Sequence, residues 1–113
     1  MNKYTEKIKE EKLIRLFFDL DDTLAEQIWP EEGIGQPIKE NVELVRKLHK
    51  KGYRIWVYTT RPDYDFINIE NWAKDNDIPI GGILCGKPLG KVFVDDRAVN
   101  PFCKECVKRL SEL

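Results

Sequence analysis

Leu13 to Phe18 is a near-continuous apolar run that ends in the carboxylates of Asp19 and Asp21. Strands of that character belong inside a parallel sheet covered on both faces. In an extended backbone, residues two apart point the same way, so Asp19 and Asp21 leave the strand end towards one spot. Two anions held together in a water-poor place repel each other and lose hydration; they usually come with a cation, a shared proton or catalytic work. An Asp-rich turn or helix N-cap explains the same triplet without chemistry. The rest of the chain separates these readings.

Trp29-Pro30 and Gly33-Ile34-Gly35 predict an irregular flap over Ala25 to Gln36. Pro37 starts a helix to about Lys51, with Ile38, Val42, Val45 and Leu48 at helical spacing and Gly52 as the stop. Tyr53 to Tyr58 reads as a second strand that delivers Thr59-Thr60-Arg61 to its C-terminal end. Pro62-Asp63 opens a helix through about Asp75, with Phe66, Ile69 and Ala73 on one face. Ile80 to Cys85 is a short third strand, Gly86-Lys87-Pro88 a turn, and Val92 to Val94 a fourth strand ending at Asp95-Asp96. Asn100-Pro101 signals the cap and first turn of a final helix to about Leu110.

Strands alternating with helices predict an α/β fold, a Rossmann-like three-layer sandwich on a small parallel sheet, with strand order 3-2-1-4. At 113 residues and 42% apolar content, the chain suits one domain spanning 1–113, with 1–12 a charged leader, frayed or helical. The net charge of -1 is spread without a basic block, so a nucleic-acid surface is not indicated. The leader lacks a signal-peptide core and no apolar run approaches the roughly 20 residues of a membrane span, so a soluble, cytoplasmic protein is expected.

Three cysteines, Cys85, Cys103 and Cys106, fit a reducing compartment. Cys103-x-x-Cys106 reads either as half of a zinc or redox site, or as two residues one helical turn apart with at least one filling core space. The second reading is favoured, since a structural zinc needs four ligands and only Cys85 and His49 remain as donors. His49 reads as an exposed residue near a helix C-terminus, where positive charge is favoured.

Binding sites in parallel sheets form beyond the C-terminal strand ends. Asp19 and Asp21, Thr59, Lys87, and Asp95 with Asp96 all fall there. Carboxylates without a His or thiolate cluster favour a hard cation, Mg²⁺ above all. A lysine and a threonine hydroxyl beside it suit the oxygens of a phosphoryl group. One carboxylate can attack phosphorus to form an aspartyl phosphate, and the other can move the proton.

Asp19-x-Asp21-x-Thr23, Thr59 after an apolar strand, Lys87-Pro88 and Val92-Phe93-Val94-Asp95-Asp96 together resemble the four motifs of the haloacid dehalogenase-like phosphatase superfamily, in order, across residues 13–100. The resemblance implies Asp19 as nucleophile and Mg²⁺ ligand, and Asp21 as general acid and base with its backbone carbonyl on the metal. Thr59 would bind the transferring phosphoryl group and Lys87 would neutralise it. Asp95 would complete the metal site, with Asp96 binding through water or orienting Lys87. Thr23 is expected to brace the loop, and Asp22 is either exposed or functional. Lys91 competes for the lysine role but is less well aimed than Lys87. Thr60 departs from the family, where many relatives carry Gly; the larger residue is expected to narrow the phosphate loop and need not remove activity. The dehalogenase branch does not use an acid at the position of Asp21. A response-regulator receiver domain carries its acidic pair on the first strand and its lysine on the last, whereas here a second acidic pair follows the lysine.

The gaps after the first and second motifs are too short for an inserted cap, so the site is expected to be open. Such a site suits a phosphorylated small molecule or protruding phosphate ester, or borrows walls from another subunit of a homo-oligomer. Trp29 and Arg61 are the substrate-contact candidates beside Thr60, by stacking and by holding a second anionic group. Packing of the flap is the alternative for Trp29, and a local salt bridge for Arg61. Tyr64 and Asp65 can reach the rim. The stretch from Lys87-Pro88 to Val94-Asp95-Asp96-Arg97-Ala98 also resembles small phosphatase-like proteins of capsular or surface polysaccharide synthesis, which implies a sugar phosphate; nucleotides and polynucleotide ends come second. A non-catalytic binding module on the same fold is the rival class.

Overall fold

A computed structural model describes residues 14–113. The expected leader and Leu13 lie outside the described residues. The element order is β1 (Arg15–Phe18), α1 (Lys39–Lys50), β2 (Arg54–Tyr58), α2 (Phe66–Asp75), β3 (Gly82–Leu84) and α3 (Lys104–Ser111), with 3-10 turns at Pro30–Glu32 and Asp63–Asp65. The three strands form one parallel sheet in the order β1-β2-β3. Arg15 pairs with Arg54 and Phe18 with Val57, while Trp56 pairs with Gly82 and Tyr58 with Leu84.

The alternation within the strands decides which face is buried. Phe18, Ile55 and Val57 point into a core completed by Leu20, Leu24, Val42, Val45 and Leu48, with Ile69, Ala73 and Ile78 from the α2 region. Two successive right-handed crossovers that advance in one direction along a sheet put both helices on the same side. Helix α3 joins that side, with Val107 and Leu110 against the core and the Lys51 Nζ donating to the carbonyls of Ser111 and Leu113 at 2.6 and 3.1 Å. The opposite face carries Phe17, Trp56 and Tyr58, with Phe17 ring centroids 6.1 and 6.2 Å from those of Trp56 and Tyr58. No helix among the described residues covers it. The described fold is thus two-layered, where three layers were expected.

The difference lies in the fourth strand. Val92–Val94 is irregular and exposed, Val94 at 97%, and among the described residues β1 pairs only with β2. Three residues offer few ladder bonds, and α3 packs back over α1 instead of covering a new strand beside β1. Local boundaries shift too. Pro37 pairs with Ala25 instead of starting α1, whose N-cap is Ile38. Asn100 forms a turn, its Oδ1 accepting from Phe102 N–H at 2.9 Å, and α3 begins only after Cys103. Gly52 ends α1 as expected: its φ of 100° is left-handed, and its N–H donates to the His49 carbonyl. No helix among the described residues is long and apolar enough to cross a membrane.

Candidate functional site

The chain turns sharply as it leaves β1. The Leu20 carbonyl accepts from Thr23, Leu24 and Ala25 N–H groups, and Asp22 sits at a φ of 64° to allow it. Asn41, buried on α1, donates to the Thr23 carbonyl at 2.7 Å, and Ile38 N–H donates to the Leu24 carbonyl at 2.7 Å. This tight loop holds Asp19 and Asp21 at the sheet edge. Thr23, expected to brace the loop, meets Asn41 through its backbone carbonyl.

The segment after β3 runs beside the one after β2. Thr59 N–H donates to the Leu84 carbonyl at 2.9 Å, Lys87 N–H to the Thr59 carbonyl at 2.8 Å, and Gly86 N–H to the Arg61 carbonyl at 2.9 Å. That clamp carries Lys87 across the strand ends until its Nζ lies 3.9 Å from Asp19 Oδ1. Tyr58 and Phe93 flank the ammonium, with ring centroids at 5.3 and 4.7 Å. Asp19 Oδ1 also accepts the Leu20 N–H at 2.9 Å. Burial pushes the Asp19 carboxyl above its ordinary value of 3.8; Lys87 and the Leu20 N–H oppose the rise, and the charges of Asp21 and Asp22 add to it.

Asp21 has a different partner. Arg61, 5% exposed, grips both of its oxygens, Nε to Oδ2 and Nη2 to Oδ1, each at 2.8 Å. Nη2 also donates to the Gly33 carbonyl at 2.8 Å, and Nη1 lies 3.6 Å from Asp65 Oδ2. The hydrogen bond to Asp21 raises the guanidinium further above its usual range, more than burial lowers it. One cation therefore ties the first loop, the flap and the start of α2 together. Thr59 is buried at their centre, its Oγ1 accepting from the Arg61 N–H at 3.1 Å.

No protein-family model matches this chain, and no curated protein matches it. Solved structures do. A crystal structure of a protein from Vibrio cholerae is similar, with a TM-score of 0.70 and 26% identity over 87% of this chain and 96% of that one. A conserved protein from Bacteroides thetaiotaomicron has a TM-score of 0.55 and 21% identity over 75% of this chain and 77% of the other, a likeness of fold alone.

Of the residues singled out in the sequence, Asp19, Asp21, Thr59, Arg61 and Lys87 are brought together at the strand ends. Asp95 and Asp96 are not: both are exposed, and Asp95 Oδ1 accepts the Arg97 N–H at 2.8 Å. Thr60 is exposed beside Thr59. Trp29 is 71% exposed, so the flap is anchored elsewhere, by Arg61 on Gly33 and by Trp72 Nε1 donating to the Gly35 carbonyl at 2.9 Å. Tyr64 is exposed, while Asp65 is half-buried against Arg61.

Among the described residues no group of three or more metal-binding side chains converges. As arranged, Asp19 and the Asp21 backbone stand at the strand ends, while Asp95 and Asp96, the other expected Mg²⁺ ligands, are exposed and are not brought to them. Two hollows, of about 560 and 390 Å³, lie on the α1 side and at the start of β2 and touch neither Asp19 nor Lys87. The first is lined by Glu43 and Asp77, but Glu43 is paired with Arg46 at 2.7 Å, so the strand-end cluster is the better candidate for chemistry. Asn41, Tyr58 and Phe93 were not singled out by sequence for roles here. A polar residue at a core-facing helix position was the available signal for Asn41; nothing local marked the two rings as lysine neighbours.

Proposed function

We propose that this chain is a phosphoric monoester hydrolase of the haloacid dehalogenase-like kind, with Asp19 as nucleophile. The observation that carries the reading is the approach of Lys87 to Asp19 from a separate strand end. The lysine gives an incoming phosphoryl oxygen a positive partner next to the attacking carboxylate. Asp19 forms a bond to phosphorus as the ester P–O bond breaks, and the leaving oxygen takes a proton. Water then attacks the aspartyl phosphate and returns the carboxylate. Asp21 serves as the proton carrier only after one of its oxygens leaves Arg61.

Mg²⁺ belongs to the proposal, held by Asp19, the Asp21 carbonyl, Asp95 and Asp96. It requires Val92–Val94 to join the β1 edge as a fourth strand, in order 3-2-1-4, bringing Asp95 towards Asp19. The open strand ends and the exposed Trp29 and Thr60 favour a protruding ester. A sugar phosphate is the first substrate class and a nucleotide or polynucleotide end the second, in a cytoplasmic protein. Walls borrowed in a homo-oligomer fit the same openness.

Phosphate release tests this across sugar phosphates, nucleotides, 3'-phosphorylated oligonucleotides and an aryl phosphate, with Mg²⁺, for wild type and Asp19→Asn. Turnover lost in Asp19→Asn and beryllium fluoride trapped on Asp19 are expected. Equal rates for the two proteins on every substrate would remove the enzyme reading. The ion pair that fills Asp21 favours the rival, a non-catalytic module, and that equality is its signature.

A further inference from the structure

Cys103 and Cys106 stand apart from the proposed phosphate site, and the core explains neither. Helix α3 has no buried residue, and both thiols are half-exposed outside the core cluster. The expectation that one of them fills core space is not met. Cys103 is instead the N-cap of α3, and Cys106 sits one turn further on, with the Val107 N–H donating to the Cys103 carbonyl at 2.9 Å.

Both thiols lie in the first turn of α3, where each influences the charge of the other. The Cys103 thiol is held below its ordinary value, first by the Cys106 thiol and then by the Cys106 backbone N–H. Cys106 is pushed up, first by its bond to Cys103. Of the nearby charges, Glu105 works against the Cys103 thiolate, and Arg109 favours a charged Cys106. A helix N-terminus favours negative charge on its cap residue, which makes Cys103 the better nucleophile of the pair. Burial and the carboxylates of Asp63 and Asp65 push Cys85 the other way.

We propose that Cys103 and Cys106 form a redox-active dithiol that exchanges with a small-molecule disulfide, Cys103 attacking and Cys106 resolving. In the first step the Cys103 thiolate bonds to one sulfur of the oxidant, whose S–S bond breaks and releases one thiolate that takes up a proton. Cys106 then gives up its proton and bonds to Cys103 Sγ, and the second oxidant thiol leaves. The cysteine pair loses two electrons and the oxidant disulfide gains them. Placement at the start of one helix keeps both sulfurs within a single turn, so ring closure needs no movement of the sheet.

The test incubates the full chain with oxidised glutathione, quenches with iodoacetamide and maps the peptides by mass. Wild type is expected to form an intramolecular Cys103–Cys106 bond and to leave Cys85 alkylated. Cys106→Ser should retain glutathione on Cys103, and Cys103→Ser should react about tenfold more slowly than Cys106→Ser. Three alkylated cysteines in wild type, a disulfide that includes Cys85, or equal rates for the two serine variants would overturn the proposal. The readout is independent of phosphatase activity, so a catalytically inert chain still decides it.

Discussion

Arg61 holds Asp21 through both carboxylate oxygens, two bonds of 2.8 Å reaching across forty residues of sequence. The fork geometry of a guanidinium suits that grip, and burial of the arginine removes competing water. The same side chain meets Gly33 and Asp65, so the flap and the start of α2 depend on it.

Arg61→Ala leaves Asp21 without its partner and the flap without its anchor. Chemical denaturation should show a loss of about 3 kcal/mol, as expected when one member of a buried pair is removed. Arg61→Lys should restore less than half of it, because an ammonium cannot span both oxygens.

Asp19 gives stability a distinctive pH dependence. Its folded carboxyl binds a proton more tightly than in the unfolded chain, chiefly because of burial. The resulting penalty is absent below the ordinary value of 3.8 and complete above the raised folded value. Asp19→Asn should therefore melt at a higher temperature than wild type at pH 7, with the gap closing as pH falls through the carboxylate range. Melting curves across that range check the direction.

Lys87→Ala should reduce phosphate release by about 10²-fold or more if Asp19 attacks phosphorus, since one charge-stabilising donor is lost. Folding should change little, because the clamp to Thr59 uses the Lys87 backbone. A fall in kcat at a similar melting temperature is the expected result.

Gly82→Ala probes the bare face of the sheet. A Cβ there would meet Trp56 ring carbons at 2.6 Å, so the indole must move away from its place over β3. A destabilisation of about 1–3 kcal/mol is expected, together with a shift in tryptophan fluorescence.

Much of the scaffold was legible in advance. Val42, Val45 and Leu48 recur at helical spacing and are all buried on α1. The branched and aromatic run of β2 forms within one residue of its predicted start. These features follow from periods of 3.6 and 2, which act over a few residues. Val92–Val94 has the composition of a strand but needs a neighbour on one side and cover on another, and its own residues specify neither.

The sequence alone determined the succession of the first three strands and their helices and the placement of Asp19, Thr59 and Lys87 after successive strands, because backbone propensity and hydrophobic period are local. Only the tertiary structure decided that Lys87 faces Asp19 while Arg61 occupies Asp21, and that the described sheet is covered on one face. Those outcomes depend on which side chains meet across the ends of different strands, and charge pairing over such distances is set by packing, not by spacing along the chain.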